Sequence, residues 1–258
     1  MEKLQEYQQL IVWDPQEQEI IGGYRFLLGE NIKMDENGVP HIAMSHMFKY
    51  SPKFIKEILP YTIELGRSFV SVEYQSTKAG AKALYALDNL WDGLGALVVV
   101  YPQIKYLFGK MTMYPSYPME CRNMILYFLD KYFHDDEKLV EPIQPLDANI
   151  NVARMQRLFV GGSFKEDYKI LNTQVRAAGF NIPPLVNSYM NLSPKMRMLG
   201  TAINDEFGDV EETGIFFAIA EIYEEKKIRH IRTFYERFID YRKDLIHRIR
   251  EYARNRNK

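Results

Sequence analysis

Polar and apolar positions alternate in short runs over 9–28, 68–74, 105–114 and 196–222, and recur at helical spacing between several of these runs and again after 228. Residues 9–14 (QLIVWD) predict a strand, Asp14-Pro15 a turn, and 20–28 (IIGGYRFLL) the returning strand. A polar loop over 29–45, with a turn at Asp35-Glu36-Asn37-Gly38, leads to a short helix over 52–59 opened by Ser51-Pro52. Within the stretch Tyr61 to Gln75, residues 68–74 (SFVSVEY) are β-branched and aromatic and alternate in polarity, as a half-buried strand does. A helix from about Ala79 to Val100, a strand over 105–114 and a helix over 118–133 follow. Between 139 and 180 the pattern changes to two helical stretches, 148–159 and 164–178, split by Gly161-Gly162, which predicts a helical insertion. Pro183-Pro184 opens a helix through Leu192, and 196–204 and 213–222 read as strands. The acidic link NDEFGDVEE (204–212) is a hairpin loop or part of a site, and a solvated loop is the preferred reading. Alternation of this kind gives an α/β (α+β) chain with antiparallel pairs.

From Ile228 onward, Ile231, Phe234, Phe238, Tyr241, Leu245, Ile249 and Tyr252 recur at steps of three and four, which places them on one helix face. Residues 226–258 hold twelve Lys or Arg against four Asp or Glu, a local balance of +8, whereas the whole chain carries −1. This tail reads as a docking or dimer helix ahead of an anionic-surface binder. The basic character is confined to it, so no nucleic-acid partner is expected. A single cysteine, Cys121, excludes an internal disulfide and a thiolate metal cluster. No apolar run approaches a membrane span, so a cytoplasmic protein is expected.

Three features carry candidate chemistry. Glu64 and Arg67 stand at the entrance of the central strand, where charges are costly unless paired. Regular alternation would point them to opposite faces, and one extra residue at Gly66, as a β-bulge, would bring them to the same face. Spacing alone leaves a site and a structural ion pair equally open. Arg25 is a second charge inside an apolar strand, and the paired Gly22-Gly23 allow another backbone or a ligand to come close. The helix start at 76–82, with Ser76, Thr77, Lys78, Gly80 and Lys82, is either an anion cradle or an ordinary capped helix. Asp135-Asp136-Glu137 reads as a solvated turn, and most of the five histidines read as surface residues. No G-x-G-x-x-G, P-loop, HExxH, G-x-S-x-G or CxxC is present, and no metal site is expected.

The segments IIGGYRFL (20–27), IELGRSFVSVEYQ (63–75), LWDGLGAL (90–97), YLFGKMTM (106–113) and NDEFGDVEETGI (204–215) resemble the hemolysin-like acyltransferase branch of the GNAT superfamily. That branch includes N-acyltransferases of ornithine-lipid and glycine-lipid synthesis, and the glycine type is the more similar around SHMFKYS and IPPLVNSYMNLSPKM. Acyl-homoserine lactone synthases are similar more distantly. The resemblance implies a mixed, largely antiparallel sheet flanked by helices. It places a GNAT-like acyltransferase domain at 1–225, with an insertion at about 139–180, and a basic amphipathic helical tail at 226–258. It implies transfer of a 3-hydroxyacyl chain from acyl carrier protein to the amine of an amino acid, glycine ahead of ornithine. A splayed sheet would free backbone N–H groups to polarise the thioester carbonyl.

Under that resemblance Glu64 is the first candidate for the base or for holding the amine, His46 the second, and Arg67 completes the catalytic set. Arg25, Gly66 and Ser68 would bind substrate, the two arginines orienting a carboxylate or the acyl 3-hydroxyl. Ser76, Thr77, Lys78, Gly80 and Lys82 would meet phosphopantetheine and the acidic carrier protein. No tightly bound cofactor is implied, because the usual pyrophosphate loop Q/R-x-x-G-x-G/A is missing after the strand; the donor would be acyl-phosphopantetheine on the carrier. Relatives carry a strand, helices and an acidic segment ahead of QLIVWD, and these N-terminal elements are expected to be missing here. A catalytically silent carrier- or lipid-binding protein and a lactone-synthase-like enzyme are the alternatives. The tail could also hold the protein at the periphery of the inner membrane.

Overall fold

The computed structural model describes residues 7–74, 81–232, 234–236, 238–240 and 243, with backbone alone over 81–87. In chain order the elements are β1 (Gln8–Asp14), β2 (Glu19–Leu28), β3 (Phe48–Tyr50), β4 (Thr62–Val70), α1 (Ala81–Val100), β5 (Tyr106–Met113), α2 (Met119–Phe133), β6 (Val140–Pro142), α3 (Val152–Leu158), α4 (Phe164–Ala177), α5 (Pro184–Met190), β7 (Arg197–Asn204), β8 (Val210–Ala218) and α6 (Glu224–Lys227). This is the mixed α/β, mostly antiparallel architecture that the sequence predicts. The chain divides into two units, one of Met1–Gln8, Phe26–Gly66 and Lys105–Ile222, the other of Gln9–Arg25, Arg67–Ile104 and Tyr223–Lys258. Strands β2 and β4 run through both.

In the first unit, β4 starts parallel to β5, with Thr62, Ile63 and Glu64 opposite Tyr106, Leu107 and Phe108. β5 pairs antiparallel with β8 from Tyr106↔Ala218 to Met113↔Glu211, and β8 pairs antiparallel with β7. Side chains alternate along β5, so Phe108, Lys110 and Thr112 share one face. That face holds the apolar core of Phe48, Phe54, Phe108 and Phe216, covered by the segment from Ile32 to Leu59. The Phe54 ring meets those of Phe108 and Phe216 edge-on at 5.2 and 6.3 Å. Truncating such a buried aromatic to alanine costs about 3–5 kcal/mol. The opposite face turns Glu211 to Arg122 of α2.

Helix α2 is buried on most sides and packs on α3 and α4. Asp167 ties α4 to it by accepting from Lys131 Nζ and the Tyr132 hydroxyl, each at 2.6 Å. The span 139–180 holds these two helices and also β6, which pairs with β3. The acidic turn at 135–137 is more than a solvated turn. Asp135 is buried, accepts the Leu139 N–H at 2.7 Å and pairs with Arg197, because the backbone after α2 needs an acceptor there.

In the second unit, a Cβ at Gly22 would stand 2.7 Å from the Phe69 carbonyl oxygen and one at Gly23 2.7 Å from that of Leu10. The glycine pair therefore admits neighbouring backbone on both sides. β4 ends at Val70, short of the predicted 74. Ser71 N–H donates to Ile21 O at 2.8 Å, and residues Val72–Tyr74 then close a helical turn. His230 is buried against α1, 2.7 Å from Asp92, with its own carbonyl crowding Gly95; it is not a surface histidine. Tyr241, Leu245, Ile249 and Tyr252 of the predicted tail face lie outside the described residues.

Candidate functional site

Two polar stations stand on the aromatic face of the first unit's sheet. The first is Glu64, 2% exposed. It occupies the last of the three pairs that join β4 to β5, so the parallel ladder ends at its level. Leu65 and Gly66 carry β4 past that point. The Leu65 carbonyl passes close to β5, 3.0 Å from where a Cβ would sit on Gly109. Beside Glu64 is Tyr50, whose ring stacks on Phe54 and meets Phe108 edge-on. Burial pushes the Tyr50 hydroxyl far above its ordinary pKa; the Ser45 hydroxyl opposes this and the Glu64 charge adds to it. Tyr50 therefore stays protonated, 3.4 Å from Ser45 Oγ. The first station is a carboxylate and a permanent hydroxyl set in an apolar wall.

The second station is built on Glu212, 1% exposed, opposite Thr112 across the β5–β8 ladder. Lys110 Nζ lies 2.9 Å from its Oε1, and the Thr112 hydroxyl donates to its Oε2 at 2.7 Å. Asn204, buried at the end of β7, donates from Nδ2 to Glu212 Oε1 at 3.4 Å. Its Oδ1 stands 3.1 Å from His46 Nε2. The imidazole keeps 28% of its surface, and its Nδ1 lies 3.9 Å from Glu206. Four residues of β5 separate the level of Glu64 from that of Glu212, about 13 Å along the strand.

Of the residues singled out from the sequence, Glu64 lies at the first station and His46 at the second. Arg25 and Arg67 belong to the second unit, where Arg25 is buried and Arg67 exposed. The left-handed backbone in β4 is at Arg67, whose φ is +49°, and not at Gly66; a non-glycine residue seldom adopts that region. Ser68 is exposed. Ser76, Thr77, Lys78 and Gly80 lie outside the described residues; Lys82 lies in α1, and its side chain is outside them too. Among the described residues no group of His, Cys, Asp and Glu has the arrangement of a metal site.

Sequence reasoning missed Asn204, Glu212, Lys110, Thr112 and Tyr50. The predicted loop 204–212 is in fact a short turn at Asp205–Phe207, and β8 begins at Val210, which carries Glu212 into the sheet. A lysine inside the apolar strand YLFGKMTM was the available signal, since a charge there requires a partner of opposite sign.

A model of the acetyltransferase (GNAT) domain matches residues 5–85. The chain is 62% identical over 228 residues to the glycine N(alpha)-acyltransferase of Phocaeicola vulgatus, covering 88% of this chain and 70% of that protein. It is 64% identical over 230 residues to the glycine N(alpha)-acyltransferase of Bacteroides thetaiotaomicron, covering 89% and 68%. No solved structure matches the chain significantly. A parallel ladder that stops after three pairs, a matching domain model and relatives at this identity lead to one conclusion: the chain belongs to the N-acyltransferases of the GNAT superfamily.

Proposed function

We propose that the protein moves a 3-hydroxyacyl chain from acyl carrier protein to the α-amine of glycine. The observation that carries this reading is identity of 62–64% over nearly nine-tenths of the chain to two glycine N(alpha)-acyltransferases. The missing pyrophosphate loop after β4 supports a carrier-protein thioester over coenzyme A. The thioester carbonyl is assigned to the β4 backbone that follows Glu64, where N–H donors aimed at a developing oxyanion are worth about 2.7–4 kcal/mol.

Glu64 and Tyr50 support the hydroxyl on the acyl chain. An aliphatic chain suits the wall of Phe54, Phe108 and Phe216, and the Glu64 carboxylate beside the Tyr50 hydroxyl suits a hydroxyl on that chain. The acceptor is then assigned to the more open second station. No described helix is long and apolar enough to cross a membrane, so contact with the bilayer that receives the product is assigned to the basic residues 226–258.

The test is an assay of purified protein with 3-hydroxyacyl carrier protein and glycine, read as N-acylglycine and free carrier thiol. Glycine is expected to exceed ornithine as acceptor, and the carrier thioester to exceed the coenzyme A thioester as donor. Transfer to ornithine alone overturns the acceptor, and equal use of coenzyme A overturns the donor.

A further inference from the structure

We propose that His46 receives the proton released by the acceptor amine, and that Asn204 and Glu212 are positioning residues that fix its tautomer for that step. The inference rests on the acyl-transfer reading for its chemistry, while the tautomer stands on hydrogen-bond geometry alone. Lys110 and Thr112 both donate to Glu212, so the carboxylate oxygens there act as acceptors. Asn204 must then turn its amide nitrogen to Glu212, at 3.4 Å, and its carbonyl oxygen to His46, at 3.1 Å. A carbonyl oxygen can only accept, so the hydrogen of the neutral imidazole resides on Nε2. The lone pair of the neutral ring is left on Nδ1, which lies 3.9 Å from Glu206 Oε2. Buried carboxylate, buried amide and half-exposed imidazole thus form an orienting series in which each member has one hydrogen-bonding choice.

The acceptor arrives as an ammonium and gives one N–H proton, through water, to Nδ1 of His46. The freed lone pair forms the C–N bond at the thioester carbonyl, the C–S bond breaks, and sulfur leaves as the thiol with the second N–H proton. The imidazolium returns its proton to solvent.

The test combines imidazole NMR with kinetics. A long-range proton–nitrogen spectrum of the wild-type protein is expected to show His46 as the Nε2–H tautomer, and Asn204→Ala to lose that preference. His46→Ala is expected to lower kcat by about 10²–10³-fold with KM for the acyl carrier within about threefold, and added imidazole to restore part of the rate. Asn204→Ala is expected to lower kcat by about tenfold at unchanged KM. A wild-type Nδ1–H tautomer, or kcat of His46→Ala within about twofold of wild type, overturns the proposal. Recovery by imidazole requires a folded protein, so a misfolded variant cannot imitate support. If the wild type transfers no chain to any amino acid, the acyl-transfer reading and the proton role fail together. The tautomer and its dependence on Asn204 then still decide the positioning claim.

Discussion

Glu64 and Glu212 are both buried carboxylates on the same face of one sheet, yet the chain surrounds them differently. Glu212 is enclosed by a lysine, a threonine and an asparagine, each contributed by a strand next to it or its own neighbour in the ladder. Glu64 stands where a ladder ends, among aromatic rings, with a tyrosine whose proton is held fast. A carboxylate enclosed by donors is a rigid support; under the proposal its influence would reach substrate only through Asn204 and then His46. Glu64 shares its aromatic wall with the Tyr50 hydroxyl, and the proposed reading gives that pair the hydroxyl of the acyl chain. On the proposed reading the two stations divide the work of an acyl transfer between recognition of the chain and management of the amine.

The largest effect is expected where the enclosure is broken. Glu212→Ala leaves the Lys110 ammonium, only 18% exposed, without its carboxylate. Removing one member of a buried pair costs about 3–5 kcal/mol, so the urea midpoint should fall sharply. Glu212→Leu combined with Lys110→Met should recover most of that loss, because an apolar pair needs no counter-charge. Recovery of folding without recovery of rate would separate support from catalysis; a single variant as stable as wild type would remove the contrast.

At the other station the expected effect is on selectivity. Glu64→Gln keeps the shape and removes the charge. If Glu64 meets the 3-hydroxyl, the preference for a 3-hydroxyacyl over a plain acyl carrier should fall by about 10–100-fold, the value of one hydrogen bond to a charged group. Competition between the two donors in one reaction measures it directly. An unchanged ratio with a lower rate for both would move Glu64 from chain recognition to the reacting centre.

Glu64 was legible in the sequence because its signal is local: a glutamate in a β-branched strand, two residues before a glycine, is anomalous on its face, whereas Tyr50 beside it carries no such signal. The second station was not legible as a set, although His46 was singled out, because Lys110, Thr112, Asn204 and Glu212 meet only through ladder register and His46 reaches them from a turn. Acidic runs are usually solvated, and that rule misassigned Glu212. What overrode it was alternation: Glu211 and Glu212 are consecutive in β8, so one turns to Arg122 and the other to Lys110. The left-handed backbone in β4 is at Arg67, one residue beyond the glycine at which the sequence suggests a bulge. Most helices and strands, by contrast, follow from periodicity over long windows, where single-residue misreadings cancel.

A third buried carboxylate provides the control for this contrast. Asp167 is fully buried at the α2–α4 contact, and α2 covers the face of the sheet opposite both stations. Burial alone would raise its carboxyl, but Lys131, the Tyr132 hydroxyl and the Gly161 N–H together outweigh it and hold the group below the ordinary aspartate range. A depressed folded value means that the stabilisation is complete above the unfolded value, about pH 4, and is lost as pH falls through the folded one. Asp167→Asn should therefore be less stable than wild type at neutral pH, with the gap narrowing as the solution is acidified below about pH 4. Chemical denaturation at a series of pH values reads this directly. The same variant should keep its rate and donor preference within about twofold, because distant sites act independently. A change in donor preference on Asp167→Asn would mean that any lost buried charge disturbs selectivity, and the special standing of Glu64 would go with it.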